Sequence, residues 1–269
     1  VVLLIVREKN KGWRRYMMTG GASSVFALAT GSPITAILFA MEDIHKRFSP
    51  LLFSIVSISV VTSQLMSRFF SFLGFGSTAL FRIDTLTTFP LSRIFIPLLT
   101  GLLCGICSIG FIKLYHLIDS IVRQKLSKLS IRIKFPIIFA LTALAGFFLE
   151  ELLGTGHSLI DHLLGEHLLE SNTFWYLLLI VFIVRAIFMM VSNTAGITGG
   201  IFLPTLAFGA ILGALCAEAF IALDLMGEEY YTLLVVVGMV AFLGASSKIP
   251  MTACVFAIEE FESSKSSFK

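Results

Sequence analysis

The chain has 269 residues, of which 57% are hydrophobic and only 14% charged, with 26 Phe and a mean hydropathy of +0.93. A soluble protein of this size has too little interior to hide that much apolar surface, so the composition excludes an ordinary water-soluble domain. The net charge of +3 is small and dispersed, which argues against nucleic acid as a partner.

Four stretches carry no Asp, Glu, Lys or Arg: residues 16–41, 48–67, 94–112 and 186–217. About 20 apolar residues cross a bilayer as helix, so the chain reads as an all-α, polytopic membrane protein. In chain order, residues 1–6 read as the tail of a helix and 7–15 as a basic loop. Helices over 16–30 and 33–48 follow, broken at Gly31-Ser32-Pro33. Proline suits a first helical turn, where a missing N–H costs nothing. Neither piece spans comfortably alone, so they form a broken pair. Residues 51–70 make a full span and 71–92 a mixed loop. A span over 93–116 leads to a basic linker with Arg123, Lys125, Lys128, Arg132 and Lys134. Helices over 135–153, 173–192, 200–223, 230–245 and 250–261 complete the set. Positive loops face the cytoplasm, which places residues 7–15, Lys46 with Arg47, and residues 123–134 on that side. Val1 falls inside an apolar stretch with no initiator Met, so the chain reads as a piece of something longer.

A self-match at an offset of 217 residues aligns Pro33-Ile-Thr-Ala-Ile-Leu-Phe-Ala-Met-Glu-Asp43 with Pro250-Met-Thr-Ala-Cys-Val-Phe-Ala-Ile-Glu-Glu260. The shared Pro, Thr and Glu are not apolar filler, and Gly21 falls on Gly238. Repeated halves with discontinuous helices are a transporter architecture, with the substrate near the midplane. On this reading residues 1–92 are the remainder of a first repeat half and 93–269 most of a second, within one membrane domain. The first half's equivalent of the Gly199–Pro204 break would lie before Val1.

The segment from Ser192 to Pro204 interrupts the longest uncharged run, with Gly199 and Gly200 at its centre and a helix expected from about Ile201. A helix N-terminus presents unpaired N–H groups and a positive dipole end, which suit an anion. The residues alone are equally compatible with a kink that uses glycine for close helix packing.

These motifs resemble the CLC family of chloride channels and chloride/proton antiporters. Gly200-Ile-Phe-Leu-Pro204 is similar to the family's G-x-F-x-P element, and residues 32–43 to its proline-led helix ending in paired acids. Val184-Arg185-Ala186 and residues 154–160 and 248–260 fall in the family's order and spacing. The resemblance implies a CLC-type inverted-repeat bundle with broken helices, incomplete here. The G-S-G-I-P and G-K/R-E-G-P elements are absent, and so is the C-terminal helix with its anion-binding tyrosine.

The resemblance further implies that Gly199, Gly200, Ile201, Phe202 and Pro204 build an anion site from the Ile201 and Phe202 amides. Asp43 stands where proton-coupled members carry an internal glutamate, so it is expected to relay protons on the cytoplasmic side. The plainer reading is a helix-end charge solvated beside Lys46 and Arg47. Thr198, where many chloride-selective members have proline, is either a hydroxyl for an anion such as fluoride or a cap on the next helix. Arg185, costly inside a span unless paired, is expected to be structural, holding carbonyls. Glu42 and Glu259 are expected to anchor helix ends or pair with basic loops. His45, His116, His157, His162 and His167 lie near segment ends with no metal spacing, and Cys104-x-x-Cys107 reads as packing rather than a zinc or redox site.

The expectation is an anion/proton antiporter subunit moving chloride, less readily fluoride. It has no cofactor beyond that anion, works with protons and membrane lipid, assembles as a homodimer and sits in a bacterial inner membrane. The rivals are a passive channel of the same family, an inactive fragment, and an intramembrane enzyme. Against the enzyme, neither H-E-x-x-H nor G-x-S-x-G occurs.

Overall fold

The computed structural model describes residues 11–74, 90, 93–126, 131–148, 154, 156–165, 174–194 and 199–266. The helices are α1 (Lys11–Thr30), α2 (Pro33–Phe39, continued by a π-type turn Ala40–Ile44), α3 (Pro50–Phe72), α4 (Phe95–Leu126) and α5 (Ile131–Phe148). They continue with α6 (His157–Gly165), α7 (Phe174–Thr194), α8 (Phe202–Ala222), α9 (Tyr231–Ser247), preceded by a 3-10 turn at Glu228–Tyr230, and α10 (Pro250–Ser266). Among the described residues, five helices are long and apolar enough to cross a membrane: Pro50–Phe72, Phe95–Gln124, Tyr176–Thr194, Phe202–Ala222 and Glu228–Ser247. The protein is an all-α, multi-pass membrane protein.

Two compact units divide the chain. One comprises Val1–Asp84 with Ser247–Lys269, the other Thr85–Ser246. Repeat halves and compact units are therefore different divisions, because α10 packs with the helices of the chain's first part.

In the first unit α1 lies along α3, closing a core of Ala27, Ala36, Ala40, Met41, Leu52, Val56 and Val60. The break between α1 and α2 is where the sequence places it. Gly31 takes φ +72, which costs glycine nothing, and Pro33 opens the next helix. The expected helix over 33–48 is shorter than that. After Phe39 the ladder widens into the π turn, Lys46 adopts φ 51, and the Arg47 N–H reaches back to the Met41 carbonyl at 3.0 Å. A left-handed residue with this long back-bond ends a helix, here without the usual glycine. The basic stretch 7–15 is also helical from Lys11, since Lys and Arg are good helix formers.

In the second unit Phe111 of α4, Phe182 of α7, Phe208 of α8 and Phe242 of α9 form one ring cluster, with centroids 5.3 to 6.4 Å apart. Tilted and edge-on rings at this spacing favour contact between quadrupoles. Cys104 is buried in this core. Helices α8 and α9 meet backbone to backbone: a Cβ on Gly209 would lie 2.6 Å from the Gly238 carbonyl, and one on Gly213 2.6 Å from that of Leu234. Small residues permit such approach between membrane helices. Gly21, the repeat equivalent of Gly238, has open space instead. Helix α8 is the most enclosed span, 61% of its apolar window being buried against 17% for α3.

Two expectations for this unit change. Helix α4 runs on to Leu126 rather than ending near residue 116, because the basic residues beyond it continue the helix and Arg123 pairs with Asp119 one turn back. Helix α6 was not anticipated. It spans nine residues, flanked by Gly154 and Gly156 at positive φ, and buries Leu159, Ile160, Leu163 and Leu164 along one face.

Candidate functional site

Helix α8 begins with Ile201 at its N-cap position, where the apolar side chain makes no capping bond. The first ladder bond runs from the Thr205 N–H to the Ile201 carbonyl at 3.1 Å. The Ile201 and Phe202 N–H groups therefore precede the ladder. Pro204, without an N–H, occupies the first turn at no cost. The Thr205 hydroxyl donates to the first turn's carbonyls, at 2.8 Å to both Ile201 and Phe202, and so stiffens the helix start from the inside. Gly199 and Gly200 are exposed, and a Cβ on either would meet nothing within 4 Å. Thr198 lies outside the described residues.

Three other helices open on proline, at Pro33, Pro50 and Pro250, and the starts at Pro33 and Pro250 are closed by carboxylates. Glu42, in the π turn at the end of α2, accepts the Met251 and Thr252 N–H groups at 3.2 and 2.8 Å and the Thr252 hydroxyl at 2.7 Å. Glu259 of α10 accepts the Ile34 and Thr35 N–H groups, both at 2.7 Å, and the Thr35 hydroxyl at 2.6 Å. Every partner in one set maps onto the other at the 217-residue offset. The two helices therefore run antiparallel, each donating its end carboxylate to the other's start, where the dipole favours negative charge. Both acids do anchor helix ends. The signal for their partners was the repeat itself, since a Pro-Ile/Met-Thr start and a Glu end recur on both segments. Beside this pair, buried Glu260 accepts the Ser32 hydroxyl at 3.0 Å.

Asp43 follows Glu42 in the π turn, half-buried and outside the five candidate spans. Burial raises its carboxyl above the usual range, Lys46 works against this, and Glu42 adds to it. Two residues on, His45 is bonded to the Thr19 hydroxyl at 2.8 Å through Nε2. Burial, with Arg15 and Arg47 nearby, lowers its pKa. Arg185 is buried and donates to the Gly154 carbonyl at 2.8 Å, beside Gly156, so it holds backbone at the start of α6. Among the described residues no group of three or more His, Cys, Asp or Glu is arranged for a metal ion.

The described residues combine spans long and apolar enough to cross a membrane with two proline-led helix starts capped by glutamates at the 217-residue offset. A sequence profile of the voltage gated chloride channel family matches residues 4–267, and the chain belongs to that family. Two solved structures share the fold. A slow cyanobacterial Cl−/H+ antiporter superposes with a TM-score of 0.78 at 20% identity, over 93% of this chain and 57% of its own. A CLC-type fluoride/proton antiporter superposes with a TM-score of 0.61 at 18% identity, over 89% of this chain and 60% of its own. The chain thus spans somewhat more than half the length of each.

Proposed function

We propose that this chain is part of an anion/proton antiporter subunit that exchanges chloride for protons across a bacterial inner membrane. The anion sits at the start of α8, held by the Ile201 and Phe202 amides beside Gly199 and Gly200, with Pro204 completing the turn. Asp43 is the inner proton relay. The observation that carries the reading is the contrast among helix starts: Glu259 and Glu42 close those at Pro33 and Pro250, whereas α8 follows the exposed Gly199 and Gly200 with apolar Ile201 at its N-cap. The starts of α2 and α10 behave as anion sites already filled from within. Asp43 supports coupling because its half-burial raises its proton affinity above that of a solvated carboxylate. The exposed apolar residues Ile34 on α2, Phe53, Ile58 and Val61 on α3, and Ile258 on α10 suit contact with lipid and with a second copy in a homodimer.

The test uses the full-length protein in liposomes. Ile201→Pro deletes one amide donor and is expected to weaken chloride binding about tenfold or more in titration calorimetry. Unchanged binding would remove the anion from this site. The same assay with fluoride decides between the two anions. Proton uptake against its gradient during chloride flux separates exchange from a passive channel.

A further inference from the structure

We infer that Tyr115 is a positioning residue for the anion site, acting through the last turn of α7. The inference rests on the anion reading above and concerns what aims the amides rather than which amides bind.

Gly199 and Gly200 contribute no side chain, and both are exposed. Glycine is also the residue with the widest backbone freedom. The direction of the N–H groups at Ile201 and Phe202 is therefore set from the flanks. On the far side, Thr205 and the burial of α8 fix the helix axis. On the near side the chain leaves α7 at Thr194, only a few residues before Gly199.

Tyr115 of α4 reaches both flanks. Its ring packs against the core cluster that includes Met190 of α7 and Phe208 of α8. Its hydroxyl accepts a hydrogen bond from the Asn193 side-chain nitrogen at 3.0 Å. One turn further along α4, Asp119 faces Thr194, whose hydroxyl is buried. Asp119 is itself held by Arg123, whose Nε lies 2.9 Å from both carboxylate oxygens. Positions 115, 119 and 123 share one helical face, so a polar stripe on α4 meets the last two residues of α7. A bond of this kind is worth only a modest amount in stability. Placed a few residues before an exposed glycine pair, it acts instead on where the amides point, and thus on which anion radius they fit.

The experiment measures the chloride-over-nitrate permeability ratio of the full-length protein in liposomes, together with its melting temperature. Tyr115→Phe keeps the ring and removes the hydroxyl. The ratio is expected to fall about threefold to tenfold with little change in melting. Asn193→Leu should give the same fall, and the double variant no more than either single one. Asn193→Asp, which can accept the phenol's proton, should restore most of the ratio. Thr194→Val, of equal size, provides an independent route should either of the first two fail to fold, and is expected to lower the ratio as well. A wild-type ratio in Tyr115→Phe and Thr194→Val, or additive effects in the Tyr115/Asn193 pair, overturns the inference. If Ile201→Pro also leaves chloride binding intact, the anion reading fails with it; if Ile201→Pro weakens binding while the stripe variants do not change the ratio, only the positioning role is lost.

Discussion

The starts of α2 and α10 and the start of α8 are chemically the same object, an exposed set of backbone N–H groups at the positive end of a helix dipole. They differ in what neutralises them. At α2 and α10 a glutamate more than 200 residues away in sequence accepts two N–H groups and a threonine hydroxyl. At α8 the first turn bonds its own carbonyls through Thr205, and the N-cap residue is the apolar Ile201. A carboxylate at a helix start serves structure, and on the proposed reading an anion takes that place at α8.

The largest expected effect comes from unsealing. Glu42→Ala and Glu259→Ala each leave two amides and a threonine hydroxyl without their acceptor, and each should cost about 2–4 kcal/mol. Matching losses in thermal unfolding are expected because the repeat makes the two environments alike. A large asymmetry would mean that the two caps are not energetically equivalent.

Adding a carboxylate at the start of α8 is the converse. Ile201→Asp places one at the N-cap of α8, where it competes with a bound anion. Chloride affinity should fall about tenfold, while stability rises by up to about 1 kcal/mol. Retained affinity in calorimetry would show that the anion is held elsewhere.

Smaller still is the effect of Glu42→Gln, which keeps one good acceptor and loses the charge. About 1 kcal/mol of destabilisation is expected, less than for the alanine variant in the same denaturation assay.

Asp43→Asn is the smallest in stability and the most specific in function. Because the carboxyl is raised in the folded protein, folding favours its protonated form. That contribution is complete below the ordinary value of 3.8 and is lost as pH rises through the folded value. The Asn variant should therefore melt slightly higher than the parent at pH 7, with the difference vanishing in acid. In liposomes its chloride flux should persist while uphill proton movement stops. Proton pumping at the parent's stoichiometry would reduce Asp43 to a solvated helix end.

Much of the fold and part of the site follow from local chemistry. Long uncharged runs require spanning helices because lipid offers no partner for a bare backbone. Gly31 and Pro33 break α1 from α2 because one residue tolerates positive φ and the other starts a helix without an N–H. The offset match identified the repeat, and the Gly-Gly-x-Phe-x-Pro run marked the start of α8 to within a residue or two.

What only the tertiary structure decided lies between residues far apart in sequence, where periodicity carries no information. The partners of Glu42 and Glu259 sit across an antiparallel helix pair, so neither glutamate's neighbours in sequence point to them. Arg185 finds its carbonyl at Gly154, 31 residues back, in a turn that leads into a helix too short to stand out by itself. The length of α4 was hidden because charge suggested a linker, whereas the Asp119–Arg123 pair makes those same charges compatible with helix. The backbone contact of Gly209 and Gly213 with α9 is likewise a fact of packing, since a glycine's missing side chain matters only where another chain segment fills its place.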